Sequence, residues 1–147
     1  MKKFWIAGLV LMAACASGGS KSDDGDLVSD RVGDWEASLS AVGMSGVSGT
    51  AEAQSVGVGT GVRISLSGAQ SGGHHPWHVH RGQCGDNGPI VGEAGAYPAL
   101  HVGTDGRASG TATIGVPLVE ETPYYVNVHR SATDLGTIIA CGRLTND

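Results

Sequence analysis

Four of the six histidines in this 147-residue chain fall within seven residues, in the segment GHHPWHVH that ends at His80. His78 and His80 are two positions apart, so on a β-strand, where side chains alternate between faces, both imidazoles point the same way. Imidazole nitrogen is a good ligand for copper and zinc, and two fixed nitrogens make half of a transition-metal site. The spacing therefore predicts a metal site on a strand, although solvated loop histidines show the same pattern.

The first fifteen residues, MKKFWIAGLVLMAAC, have the pattern of an export signal. Two lysines precede an apolar run from Phe4 to Ala14, which is too short to span a bilayer. Residues 1–14 are therefore expected to be a signal peptide. Cys15 follows two alanines, which predicts cleavage before it and lipidation of the new amino-terminal cysteine, as in bacterial lipoproteins. An ordinary signal peptide cleaved nearby is the alternative, and in both cases the mature chain is exported.

Residues 15–33 are rich in glycine, serine and aspartate and have little to bury, so we expect a lipidated N-terminus followed by a flexible tether. The predicted location is the bacterial cell envelope, on the periplasmic or outer-membrane side. The lipid would be the only membrane contact. Residues 34–147 then suffice for one domain with one core.

The charge balance excludes one class of partner. Without residues 1–14 the chain has seven Lys and Arg against fourteen Asp and Glu, a formal charge of −7 with neutral histidines. A nucleic-acid-binding surface needs clustered positive charge, so no nucleic-acid partner is expected. The sequence does not indicate the oligomeric state.

The elements that must position the histidines read as short strands between glycine-rich breaks, and no long segment has helical periodicity. The predicted strands are Trp35–Val42, Val47–Gln54, Val62–Leu66, Trp77–Arg81, Ala108–Val116 and Tyr124–Arg130. Asp105-Gly106 predicts a hairpin turn, because Asp-Gly accepts the positive φ that such turns require. The pattern favours an all-β Greek-key sandwich or barrel.

Two cysteines remain once Cys15 is assigned to the lipid, and both would lie in an oxidising compartment. A disulfide between Cys84 and Cys141 is the default interpretation. Thiolate metal ligation is the alternative, and it is disfavoured because neither cysteine belongs to a Cys-x-x-Cys pair.

Five segments between Trp35 and Leu144 carry a recognisable pattern: HPWHVH at 75–80, GQC at 82–84, YPALHVGTDGRA at 97–108, VNVHRSATDLG at 126–136 and ACG at 140–142. In these segments and in their order, the chain resembles the copper/zinc superoxide dismutase superfamily. The resemblance implies the immunoglobulin-like, superoxide dismutase type of β-sandwich.

The resemblance also implies roles for particular residues. His78, His80 and His129 match the family's copper-ligand histidines, and Cys84 and Cys141 match its disulfide. His75 matches a histidine that lies behind the copper site and is hydrogen-bonded in the core. If copper needs a fourth nitrogen, His101 and His74 are the candidates, although neither matches a family ligand.

The chain departs from the family in three places. Only Gly85–Ala96 separates Cys84 from Tyr97, and this segment has no histidine, so the loop that supplies the bridging and zinc ligands is missing. Thr133 replaces an aspartate that links the two metal sites, and Ile138 replaces the active-site arginine. We therefore expect one copper ion and no zinc.

The leading hypothesis is an exported, copper-binding, superoxide-dismutase-like lipoprotein whose dismutase activity is impaired or altered. Its small ligand would be superoxide or the copper ion itself. The alternative is a non-enzymatic protein that buffers or delivers copper in the cell envelope. A β-sandwich with vestigial histidines is disfavoured, because all three aligned copper histidines are present.

Overall fold

The computed structural model describes residues 34–146, which form nine strands and one short 3-10 turn. The strands are β1 (Trp35–Ala41), β2 (Ser48–Val56), β3 (Gly59–Ser67), β4 (His74–His75), β5 (Trp77–Arg81), β6 (Leu100–His101), β7 (Ala108–Ile114), β8 (Tyr124–Ser131) and β9 (Asp134–Asn146), and the 3-10 turn is Ala94–Ala96. No helix between residues 34 and 146 is long and apolar enough to cross a membrane. The predicted signal peptide, the lipidated Cys15 and the tether lie outside the described residues.

Seven of the strands form one antiparallel sheet in the order β5-β8-β9-β1-β2-β3-β7, and β4 pairs with β6 in a separate two-stranded ribbon. The larger sheet curls into a half-barrel. The predicted all-β architecture is therefore confirmed. Its assignment to the superoxide dismutase type stays a prediction.

The core fills the inside of the curled sheet because the strands alternate between buried and exposed side chains. In β1, Trp35, Ala37 and Leu39 are buried and the residues between them are exposed. The ring of Trp35 meets Tyr124 edge-on, with centroids 5.4 Å apart. Strand β8 differs, because every residue from Tyr124 to His129 is buried. Its second face must therefore be covered by something other than the core.

The longest strand, β9, is absent from the set of strands predicted from the sequence. Its thirteen residues, DLGTIIACGRLTN, do not alternate cleanly between apolar and polar side chains, and glycines interrupt them. One of those glycines permits close packing, since a Cβ at Gly142 would lie 2.4 Å from the carbonyl oxygen of Ser38 on β1. Alternation of apolar and polar residues does not predict β9, because the neighbouring strands on both sides fix its conformation.

The predicted turn at Asp105-Gly106 forms, but the regular hairpin does not. Gly106 has φ of 74°, and the N–H of Gly103 donates to the carbonyl of Arg107 across the turn at 2.8 Å. The flanking strands then part: β6 pairs with β4, and β7 pairs with β3. The prediction of a turn at Asp105-Gly106 is confirmed, whereas the partners of the two flanking strands are set by distant segments of the chain.

Candidate metal centre

Strands β5 and β8 place two histidines on a common face. In their antiparallel register His78 lies opposite Asn127, and His80 lies opposite Tyr125. Because side chains alternate along a strand, these four residues share one face of the pair. The intervening residues of both strands point to the other face and join the core. The prediction that His78 and His80 point the same way agrees with this arrangement.

Alternation along β8 places His129 on the same face as Tyr125 and Asn127. The pairing of β8 with β9 shifts register on both sides of His129, between Val128 and His129 and again before Ser131. Bulges of this kind bend a strand and re-aim its side chains. The bulged segment of β9 also carries the carbonyl of Leu135 to His129 Nδ1, which donates a hydrogen bond to it at 2.7 Å.

The three predicted copper histidines form one cluster. His78, His80 and His129 can each supply one nitrogen such that the three atoms lie within 4.8 Å of one another. All three side chains are buried, with 6% to 8% of each residue exposed. Within residues 34–146 this is the one such group of three or more His, Cys, Asp or Glu side chains.

Hydrogen bonds determine which nitrogen atoms face the centre. His80 Nδ1 donates to the carbonyl of Gly88 at 2.8 Å, and His129 Nδ1 donates to the carbonyl of Leu135 at 2.7 Å. Both rings therefore keep the tautomer whose Nε2 carries a free lone pair, which is how metal-binding histidines are usually oriented. His80 Nε2 is buried and has no hydrogen-bond partner among the described residues.

The third ring, His78, completes the donor set through its Nδ1 atom. His78 Nδ1 lies 3.1 Å from His129 Nε2. Since His129 Nε2 is an acceptor in the tautomer fixed by Leu135, the hydrogen between them belongs to His78 Nδ1. A metal ion can take the place of that shared proton, with the proton of His78 moving to Nε2. The donor set is then His78 Nδ1, His80 Nε2 and His129 Nε2, and it fits a transition metal that prefers nitrogen.

Burial favours the neutral forms of His78 and His80. The pKa of His78 is lowered from 6.5 to about 4, chiefly by burial and in smaller part by the nearby rings of His129 and His80. Burial also lowers the pKa of His80, against the opposing effect of the hydrogen bond to Gly88. Neutral imidazole is the form that binds a metal, so His78 and His80 do not have to be deprotonated before they bind one at neutral pH.

The segment after β5 encloses His80. The N–H of Arg81 donates to the carbonyl of Pro89, and the N–H of Val91 donates to the carbonyl of Val79, so this segment covers the outer edge of β5. Gly88 must be glycine, because a Cβ there would lie 1.8 Å from the carbonyl oxygen of Arg81. This close approach is what brings the Gly88 carbonyl to His80.

Two further connections attach that segment to the sheet. The hydroxyl of Tyr125 donates to the carbonyl of Asp86 and accepts from the N–H of Gly88. The predicted disulfide between Cys84 and Cys141 is confirmed, and it joins the start of the segment to β9. The ring of Tyr125 stacks on His80 with centroids 5.2 Å apart. The support for His80 therefore comes from three strands.

The remaining sequence-predicted histidines lie on the small ribbon. His75 is buried, and its Nδ1 lies 3.2 Å from the carbonyl of His129 and 2.8 Å from that of Arg130. It thus contacts the backbone behind a metal-facing ring. His74 and His101 are exposed, lie opposite one another in the register, and are not members of the three-histidine cluster.

Of the two residues at which the sequence departs from the pattern that it resembles, one adjoins the cluster and the other lies in a turn. Ile138 is half-buried and is the cross-strand partner of His129, so its side chain adjoins the site. Thr133 is exposed in the two-residue turn between β8 and β9, where its hydroxyl lies 3.2 Å from that of Ser131. Arg130, next to His129, pairs with Asp134 at 3.8 Å.

Two residues beside the histidines, Asn127 and Tyr97, are not among the site residues predicted from the sequence. Asn127 is buried on the site face between Tyr125 and His129, and its Oδ1 has no hydrogen-bond partner among the described residues. A polar residue at every second position of YYVNVHR could have revealed it. Tyr97 packs edge-on against His78 with centroids 5.3 Å apart, and burial raises its pKa to about 12.

Comparison with known proteins gives no further assignment. No family model matches this chain, and no curated protein matches it.

Proposed function

We propose that this protein is a copper-binding member of the copper/zinc superoxide dismutase superfamily, exported and held to the bacterial envelope by a lipid on Cys15. The observation that carries the proposal is the cluster of three buried imidazole nitrogens within 4.8 Å. Copper lies highest in the order of affinity of divalent first-row metals for nitrogen donors, and three imidazoles also suit Cu(I). The motif order along the chain supports the choice of family.

The proposed activity is slow dismutation of superoxide, in which two superoxide anions and two protons yield dioxygen and hydrogen peroxide. Copper would supply the electron exchange by alternating between its two oxidation states. The chain's own residues hold the three nitrogens in place and exclude most of the solvent. The carbonyls of Gly88 and Leu135 fix two of the rings and make those rings more basic.

Two features argue for a rate well below that of a complete family member. Ile138 adjoins His129 where the family has its arginine, so no guanidinium attracts the anion from that position. Arg81 and Arg130 each directly follow a metal-facing histidine, and Asp134 partly neutralises Arg130. Electrostatic steering changes encounter rates by roughly 10- to 1,000-fold, so losing it has a large effect on a small charged substrate.

Copper storage or delivery is the second candidate function. The half-buried apolar side chain of Ile138 favours it, because an apolar rim protects a held ion but does not attract an anionic substrate. The two candidates share the metal site and differ in turnover.

Copper titration and a superoxide assay on the same preparation test both candidates. We expect one tightly bound copper per chain and a slow, copper-dependent consumption of superoxide. His78→Ala/His129→Ala should lose the tight equivalent. His75→Gln is the matched control, since it changes a buried ring outside the donor set. Tight binding that survives the double substitution would refute the metal site, and tight binding without turnover would favour the storage protein.

A further inference from the structure

The ribbon formed by β4 and β6 carries a pair of exposed histidines. His74 lies directly opposite His101 in the antiparallel register, and His75 lies opposite Leu100. His75 and Leu100 are buried, whereas His74 and His101 face solvent. Their rings are in contact, with centroids 4.2 Å apart and planes at 62°. No hydrogen bond joins either ring to another group within residues 34–146.

The distance between the rings of His74 and His101 suits chelation of one metal ion. Two imidazole nitrogens bound at about 2.0–2.1 Å lie about 3 Å apart at right-angled or tetrahedral geometry. Rings in contact at 4.2 Å can present nitrogens at that spacing by rotating about their side-chain bonds. Cross-strand neighbours keep such proximity without a turn or helix to position them.

The backbone that holds the pair is fixed on both strands. The N–H of Gly72 donates to the carbonyl of Val102 at 3.0 Å, and the N–H of Val102 donates to the carbonyl of Gly73 at 2.9 Å. His75, adjacent to His74, is anchored through its ring to backbone carbonyls of β8. The pair therefore loses little backbone freedom when it binds an ion.

Space for the remaining ligands lies beside His101. Its side chain lines a surface cavity of about 460 Å³ that also includes Asp105 and Arg107. Water can enter this cavity and complete the coordination of an ion held by two nitrogens.

We propose that His74 and His101 form a second, solvent-exposed metal site that binds a hydrated divalent ion of the copper, zinc or nickel type. The site is separate from the three-histidine cluster, which contains neither residue. Two nitrogens hold an ion less tightly than three, so this site exchanges its ion faster. Its existence does not depend on the function proposed for the cluster.

Equilibrium titration of the folded protein with Cu²⁺ and with Zn²⁺ tests the site, read out by bound metal per chain. We expect a second, weaker equivalent in the wild type and its loss in both His74→Gln and His101→Gln. Arg63→Gln is the control, because it changes an exposed residue of β3 outside this cavity, and it should keep two equivalents. Both histidines are exposed, so these variants should melt like the wild type.

The results separate the two sites. His78→Ala/His129→Ala should lose the tight equivalent and keep the weak one. A wild type whose bound metal is unchanged in both His74→Gln and His101→Gln would overturn the surface site. Survival of the tight equivalent in the double alanine variant would instead overturn the cluster.

Discussion

Removing the disulfide should destabilise the domain by an amount set by the length of chain that it closes. Cys84 and Cys141 are 57 positions apart. In the chain-entropy treatment, a loop of that length contributes about 4 kcal/mol, by restricting the unfolded chain. A domain of the described size changes its melting temperature by about 4 °C per kcal/mol. Cys84→Ala/Cys141→Ala should therefore melt about 15 °C lower than the wild type.

The same substitution should cost less free energy in copper binding than in folding stability. The bond joins β9 to the segment that carries Gly88, whose carbonyl fixes His80. Tyr125 still holds that segment through two backbone groups after the bond is removed. Loss of a group that orients a ligand costs 10- to 100-fold in metal affinity, so we expect about tenfold here.

Differential scanning calorimetry of the apo protein and a competitive copper titration measure the two effects. Adding a reductant to the wild type should reproduce the lower melting temperature, and adding it to the double variant should change nothing. A variant that melts within a few degrees of the wild type would contradict the loop-closure argument. A loss of copper affinity far beyond 100-fold would contradict the independent role of Tyr125.

Three other predictions follow from the site. The stability of the apo protein should fall as the pH drops from 6.5 towards 4. The unfolded chain then binds a proton that buried His78, with its pKa lowered to about 4, does not accept, and the full shift corresponds to about 3 kcal/mol. His78→Gln should therefore make the melting temperature depend less on pH. Gly88→Ala should reduce both the melting temperature and the copper affinity, because its Cβ would overlap a β5 carbonyl. Gly95→Ala is the control: a Cβ there meets open space, so this variant should match the wild type in both measurements. Ile138→Arg should raise any copper-dependent rate of superoxide consumption, and added salt should diminish the gain; an unchanged rate at low salt would show that steering does not limit the reaction.

The alternation of side chains along one short strand was sufficient to predict part of the candidate site. The alternation of side chains placed His78 and His80 on one face before any tertiary information was used, and the short strand around them was bounded correctly. The same argument could not include His129, since nothing local shows that a strand some fifty residues later pairs with β5. The order of motifs along the chain supplied that residue.

The rest of the site depends on geometry that has no local signature. The pairing of β8 with β9 shifts register at His129, and the Leu135 carbonyl of β9 accepts a hydrogen bond from that ring. The Oδ1 atom of buried Asn127 has no hydrogen-bond partner in the described part of the chain, and its burial can be recognised only when its surroundings are known. Strand β9 was missed for the same reason, because its neighbours on both sides fix its conformation.

The distance along the chain between the metal-facing histidines has a consequence for the order of events after synthesis. His78 and His129 are 51 positions apart, and they meet only when β5 docks against β8. Contacts between remote segments form slowly, since closing a long loop is entropically unfavourable until many native contacts compensate. An ion therefore cannot nucleate the collapse of this chain by gathering its three rings early. We expect any ion to be acquired late, by a domain in which β5 already lies against β8.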